Sequence, residues 1–388
     1  MPDMGGGGGG TTLDAVVGPV VPPAVASDAD DLKRRWLALA LLLVTWIPIA
    51  FFVAVAALGT PRGGLGTTRS VLIFLGLVHV PMTLVLYLDK DFLALVRANK
   101  TRYIYVPIAL ILASGVIFTV GGTVLQAAAT LLLVAWQAHH YGRQNIGVYA
   151  FGSMARGWRP RPAERRALEL TTICAVCGTF KVLGVEAAPS LQGLFDLLFR
   201  AGFLAFVGVV LFGVYRYLTN RGDFPPSKAL FFFTLLLFFL PLFASSGLDG
   251  AFQSYATAHG IQYILLVAVL SVSVGAREGH RGVSKGMFAL ATGLVLFGLA
   301  GARAADLKVI DWVGSTPLVA RTIDFAAGIA LGTTIAHFVI DAGAWRLSQP
   351  STRAYMTKRF GFLLGHPETA ASALVTSSAV SPPPIVAP

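Results

Sequence analysis

An all-α fold, a polytopic bundle of transmembrane helices, is the class this sequence predicts, and three observations predict it. Runs of about 20 apolar residues, the length that crosses about 30 Å of hydrocarbon as a helix, recur along nearly the whole 388-residue chain. The composition is 55% hydrophobic and only 13% charged, where soluble domains carry about 25% charged residues. The mean hydropathy is +0.71. Lys and Arg collect in short segments between the apolar runs. The net charge of +11 therefore reports topology by the positive-inside rule and not a nucleic-acid partner.

Taken in order, residues 1–30 open with six glycines and lack a basic segment followed by an apolar one, so a disordered tail without a signal peptide is expected there. Lys33-Arg34-Arg35 precedes a first span at about 36–58, and a second runs over about 70–88. A third covers about 103–120, Gly121-Gly122 predicts a tight turn, and a fourth runs from about 123 past Gln144. The fifth, about 168–188, carries Glu169, Lys181 and Glu186, which predicts shielding by neighbouring helices. Further spans are expected at about 194–218, 229–243, 251–275, 286–302 and 316–345. That makes one transmembrane domain of ten spans over 31–365, followed by a second disordered tail, rich in Ala, Ser, Thr and Pro, over 366–388.

The distribution of charge orients the chain. Segments 90–102, 156–166, 216–228, 277–285 and 346–359 are rich in Lys and Arg, as is the first. The alternate segments 186–193 and 245–250 have neither residue. This alternation predicts both termini in the cytoplasm, with a bacterial inner membrane as the expected location. Cys174 and Cys177 are the only cysteines and lie in one apolar helix, which excludes a disulfide framework and favours small-residue packing.

The chain's most informative stretch is 134–150, VAWQAHHYGRQNIGVYA, where an apolar run fills with polar groups before it is long enough to finish crossing. Helical periodicity puts Trp136, His140, Arg143, Gln144 and Gly147 on one stripe, with His139 at its edge. Ionisable groups within a bilayer cost roughly 2.5–3.5 kcal/mol each on insertion scales, so they face the bundle interior and mark functional sites.

Histidine follows the same logic. Of seven histidines, His280 and His366 fall in a basic loop and a tail, whereas His79, His139, His140, His259 and His337 fall in membrane helices, mostly one per helix. Each sits one turn from a polar companion: Thr83 after His79, Gln144 after His140, Gln262 and Tyr263 after His259, and Asp341 after His337. A lone intramembrane histidine is more often an interhelical hydrogen-bond partner. Several imidazoles on separate helices are instead how a bundle builds a metal site in its core.

His79, His337 and at least one of His139 and His140 are therefore expected to converge on one metal, with ring nitrogens within about 8 Å and N–metal bonds of about 2.0–2.2 Å. Asp341 and Gln144 are expected beside the ligands, and Arg143 either there or as an interfacial anchor. His259 is expected about a turn too shallow, unless its helix starts as early as about Gly250 or is tilted; Tyr263 and Gln262 would then face the site.

Imidazole ligands in lipid suit non-haem iron, since membrane chemistry on hydrocarbon usually needs oxygen activation. Clustered H-x3-H or H-x2-H-H boxes, as in membrane desaturases, are absent. The spread of single histidines over His79, one of His139 or His140, His259 and His337 resembles the bacteriorhodopsin-related (Brp/Blh) family of membrane β-carotene dioxygenases. The resemblance implies a non-haem iron held by histidines from several helices and a hydrophobic, lipid- or carotenoid-like substrate. Where that family has P-H-G and H-F-G, this chain has A-H-G at 258–260 and H-F-V at 337–339, and it is longer by about two spans. Two other classes stay open: a proton- or ion-coupled transporter using Arg143, Lys181, Glu186 and Asp341, and a b-type haem protein.

Overall fold

The computed structural model describes residues 28–58, 79–181, 188–244, 248–278 and 317–364. Among them all regular structure is helical. The expected span at 286–302, the start of the second span, Glu186, His280, His366 and most of both tails lie outside the described residues.

Helix α1, Asp28–Thr45, and helix α2, Ile47–Leu58, form one apolar rod interrupted at Trp46. Pro48 accounts for the break, because its ring displaces the carbonyl four residues back and it donates no N–H. Helix α3, His79–Leu88, tightens into a 3-10 turn over Thr83–Leu88. Asp89 then caps helix α4, Lys90–Ala98, by accepting from the Asp91 N–H at 3.0 Å.

A π-turn over Thr101–Tyr105 leads into helix α5, Val106–Val120. Gly122, at φ 62°, makes the tight turn into the 34-residue helix α6, Gly122–Ala155. At 1.5 Å per residue, α6 is about 51 Å long, more than the about 30 Å of a hydrocarbon layer. Helix α7, Pro162–Thr179, begins with proline in its first turn, and Glu164 closes a capping box by accepting from the Arg161 N–H at 3.0 Å.

Helices α8, Gln192–Thr219, α9, Pro226–Leu236, α10, Leu240–Ala244, and α11, Leu248–Glu278, follow. Helix α12, Pro317–Ala344, is succeeded by α13, Pro350–Arg359, and α14, Gly361–Leu364. Among the described residues, five helical segments are long and apolar enough to cross a membrane: Asp28–Ala54, Thr101–Val120, Pro189–Thr219, Ser254–Ser271 and Asp324–Ala344. The two apolar helices His79–Leu88 and Pro226–Leu236 are shorter in their described parts.

The packing explains why α5 and α12 pair so closely. Gly328 and Gly332 stand one turn apart on α12, and a Cβ on either would lie 2.4 Å from the Ser114 carbonyl oxygen or 2.6 Å from the Ile111 Cα. Small residues let two membrane helices approach to backbone contact, where lipid supplies no hydrophobic drive. Gly328→Val and Gly332→Val should each force α12 away from α5, at a cost of about 1–3 kcal/mol. The measurement is thermal unfolding in detergent, and midpoints equal to the unsubstituted protein's would refute the packing argument.

Candidate metal centre

Four helices each deliver one buried imidazole to a common point: His79 from α3, His140 from α6, His259 from α11 and His337 from α12. The ring centroid of His79 lies 4.5 Å from that of His259 and 4.8 Å from that of His337. His140 lies 4.9 Å from His259 and 5.4 Å from His337. The Nε2 atoms of His79 and His259 are 3.0 Å apart.

Two ligands about 2.1 Å from one ion and about 90° apart are separated by about 3.0 Å, and by about 3.4 Å at a tetrahedral angle. The His79 and His259 nitrogens are thus already spaced as two ligands of a single ion. Two sets have donor atoms all within 4.8 Å of one another: His79, His259 and His337; and His140, His337 and Asp341. Both lie well inside the 8 Å expected from sequence. Among the described residues, the buried His140 Nε2 and His337 Nε2 have no hydrogen-bond partner. Unpaired polar atoms in an apolar interior are costly, so the donor set fits a cation that would engage them.

Several groups hold the rings. Phe338 stacks on His140 with centroids 4.2 Å apart, and Tyr141 packs against His259 at 4.3 Å. Gln144 donates from Nε2 to the His259 carbonyl at 3.0 Å and to Gln262 Oε1 at 3.0 Å. Gln262 in turn donates to Thr45 Oγ1 at 2.9 Å, tying the site to α1. Tyr263 donates to Asp341 Oδ1 at 3.1 Å and sits 3.0 Å from the Thr83 hydroxyl, which is hydrogen-bonded to His337 Nδ1. Asp341 Oδ2 lies 3.4 Å from His337 Nε2.

Two residues expected at the site are elsewhere. His139 is exposed, and Arg143 points away from the histidines to pair with Glu169 at 3.2 Å, both partners roughly half exposed. Adjacent residues on a helix differ by about 100° in direction, so only one of His139 and His140 can face the core. Arg143 lies one turn from His140 but toward α7, whereas Gln144 stays on the site's side. Alanine at His139 or Arg143 should leave metal content within about 20% of the unsubstituted protein, since neither reaches the imidazoles. A loss on the scale caused by a ligand substitution would contradict this placement.

His259 is the opposite correction. It joins the cluster because α11 begins at Leu248, which brings His259 about three turns into the helix. The residues missed from sequence are Phe338, Tyr141 and Thr45. Phe338 and Tyr141 directly follow His337 and His140, and Thr45 is the single hydroxyl in its apolar run, which was the available signal.

Of the four residues considered for an ion path, the three described ones do not share a site: Arg143 pairs with Glu169, Lys181 pairs with Asp196 at 3.1 Å, and Asp341 lies among the histidines; Glu186 is outside the described residues. Fold and site together define an all-helical protein with helices fit to cross a membrane and a buried imidazole cluster suited to a metal ion. The chain matches no family model, and comparison with curated proteins and with solved structures likewise finds no match.

Proposed function

We propose that this chain is a ten-span protein of a bacterial inner membrane, with both termini in the cytoplasm, that binds one non-haem iron and oxygenates a hydrophobic substrate. The observation that carries the reading is the convergence of His79, His140, His259 and His337 from four helices on one buried point. Imidazole ligands suit iron, which when bound would supply activation of oxygen toward a hydrocarbon. Apolar helices around the site favour a substrate that partitions into lipid, of the lipid or carotenoid type that the resemblance to the Brp/Blh family implies.

In this reading the chain's own groups have distinct duties. Gln144 fixes the His259 backbone, while Tyr263 and Asp341 lie beside the imidazoles, placed to orient them. A b-type haem is less well supported, because the 3.0 Å between the His79 and His259 nitrogens leaves no room for a macrocycle between those two rings. Elemental analysis of the detergent-purified protein tests the proposal, with about one iron per chain expected and no Soret band. Metal-free protein after expression in iron-replete medium, with none taken up on anaerobic addition of iron(II), would remove it.

A further inference from the structure

The hydrogen-bond chain behind His337 has a direction, and the direction leaves an unprotonated ring nitrogen facing a carboxyl oxygen. The Tyr263 hydroxyl gives its hydrogen to Asp341 Oδ1. The Tyr263 oxygen must then accept from Thr83, whose single hydroxyl hydrogen is used there. Thr83 is left to accept from His337, which places the imidazole hydrogen on Nδ1. The neutral ring then presents an unprotonated Nε2, and 3.4 Å from it stands Asp341 Oδ2, the carboxylate's other oxygen.

A proton between those two atoms would draw them to about 2.7–3.0 Å. They remain at 3.4 Å, and no hydrogen bond engages His337 Nε2 among the described residues. Two lone-pair atoms facing each other in an apolar interior repel unless a cation lies between them. A separation of about 3.4 Å is the edge of a tetrahedral site with bonds of about 2.1 Å.

The two ligand sets also share His337. With its Nδ1 engaged by Thr83, only Nε2 is free to bind, and one nitrogen lone pair serves one ion. The sets are therefore two views of one site. We infer that Asp341 is itself a ligand, so that the centre is a mixed site of imidazoles and one carboxylate, with Thr83 and Tyr263 fixing the tautomer of His337. This rests on the metal-binding reading above and changes its character: a carboxylate lowers the net charge of the bound centre and selects a divalent cation over soft monovalent copper.

Cobalt(II) is the probe, because its visible spectrum reports its ligands, and the parent protein is the Cys174→Ser, Cys177→Ser variant. Asp341→Asn keeps the acceptor for Tyr263 but removes the charge; it should weaken cobalt binding at least about tenfold and change the visible bands. Asp341→Cys should produce a thiolate-to-cobalt charge-transfer band that the parent lacks. Thr83→Cys, on the far side of the His337 ring, should not produce it. The inference is overturned if Asp341→Cys gives no such band while Asp341→Asn binds cobalt within twofold of the parent with unchanged bands. Should Asp341→Asn fail to insert, the cysteine variant alone decides. A parent that takes up no cobalt overturns this inference and the metal site together, whereas uptake unaffected by Asp341 overturns this inference alone.

Discussion

His337→Ala and His79→Ala should each abolish metal retention by the purified protein, from the proposed one ion per chain to below about 0.1. The expectation follows from position: His79 touches both His259 and His337, and His337 belongs to both ligand sets. Loss of an outer hydrogen-bond partner usually costs 10–100-fold in metal affinity, and loss of a ligand should exceed roughly 100-fold. Insertion should survive, since the bundle's helices are held by apolar packing that neither ring supplies. Because alanine also leaves a cavity, His337→Gln provides a check that keeps most of the volume. Metal content is the readout, with membrane fractionation as the folding control. Full retention of metal in both His337 variants would remove that residue from the centre and with it the present functional reading.

Arg359→Ala should be the most destabilising substitution outside the metal centre. Arg359 is fully buried at the end of α13, where Nε and Nη2 bind the two carboxylate oxygens of Asp89 at 3.0 and 2.6 Å, and Nη2 also meets Asp91 at 2.6 Å. Asp89 is buried too and caps α4, so the pair fastens the C-terminal helices to the segment after α3. Burial, and then the negative charge of Asp89, pushes the neighbouring Tyr355 phenol above its ordinary value, which keeps it neutral.

Removing one partner of a buried pair leaves a charge without compensation and typically costs about 3–5 kcal/mol. Alanine at the exposed Arg165 is the comparison, expected within about 0.5 kcal/mol of the unsubstituted protein. Thermal unfolding in detergent measures both. Equal midpoints for the two variants would show that the Arg359 contact contributes nothing net.

Apolar length and polar spacing were enough to read the all-helical class with helices fit to cross a membrane, the tight turn at Gly121-Gly122 and the presence of histidine on several separate helices. They were also enough to set His140 and Gln144 on one face, because a helix's own period relates residues four apart. What periodicity cannot supply is the rotation of one helix against another. Arg143 and Gln144 are adjacent, yet Arg143 turns to Glu169 on α7 and Gln144 to His259 on α11.

The same reason separates the expected companions from the observed ones. Thr83 follows His79 by one turn but bonds His337, and Tyr263 follows His259 but bonds Asp341. Sequence spacing reports neighbours along one helix, while a buried polar atom takes whichever partner the bundle brings within reach. Residue counting placed His259 by where its apolar run begins, but the helix itself starts at Leu248, and that extra length sets its depth. The Asp89–Arg359 pair joins residues 270 positions apart, a distance over which composition carries no signal. Residue chemistry and helical period thus determined what kind of protein this is and which side chains were worth watching. Only the tertiary contacts between helices decided which of those side chains share one site.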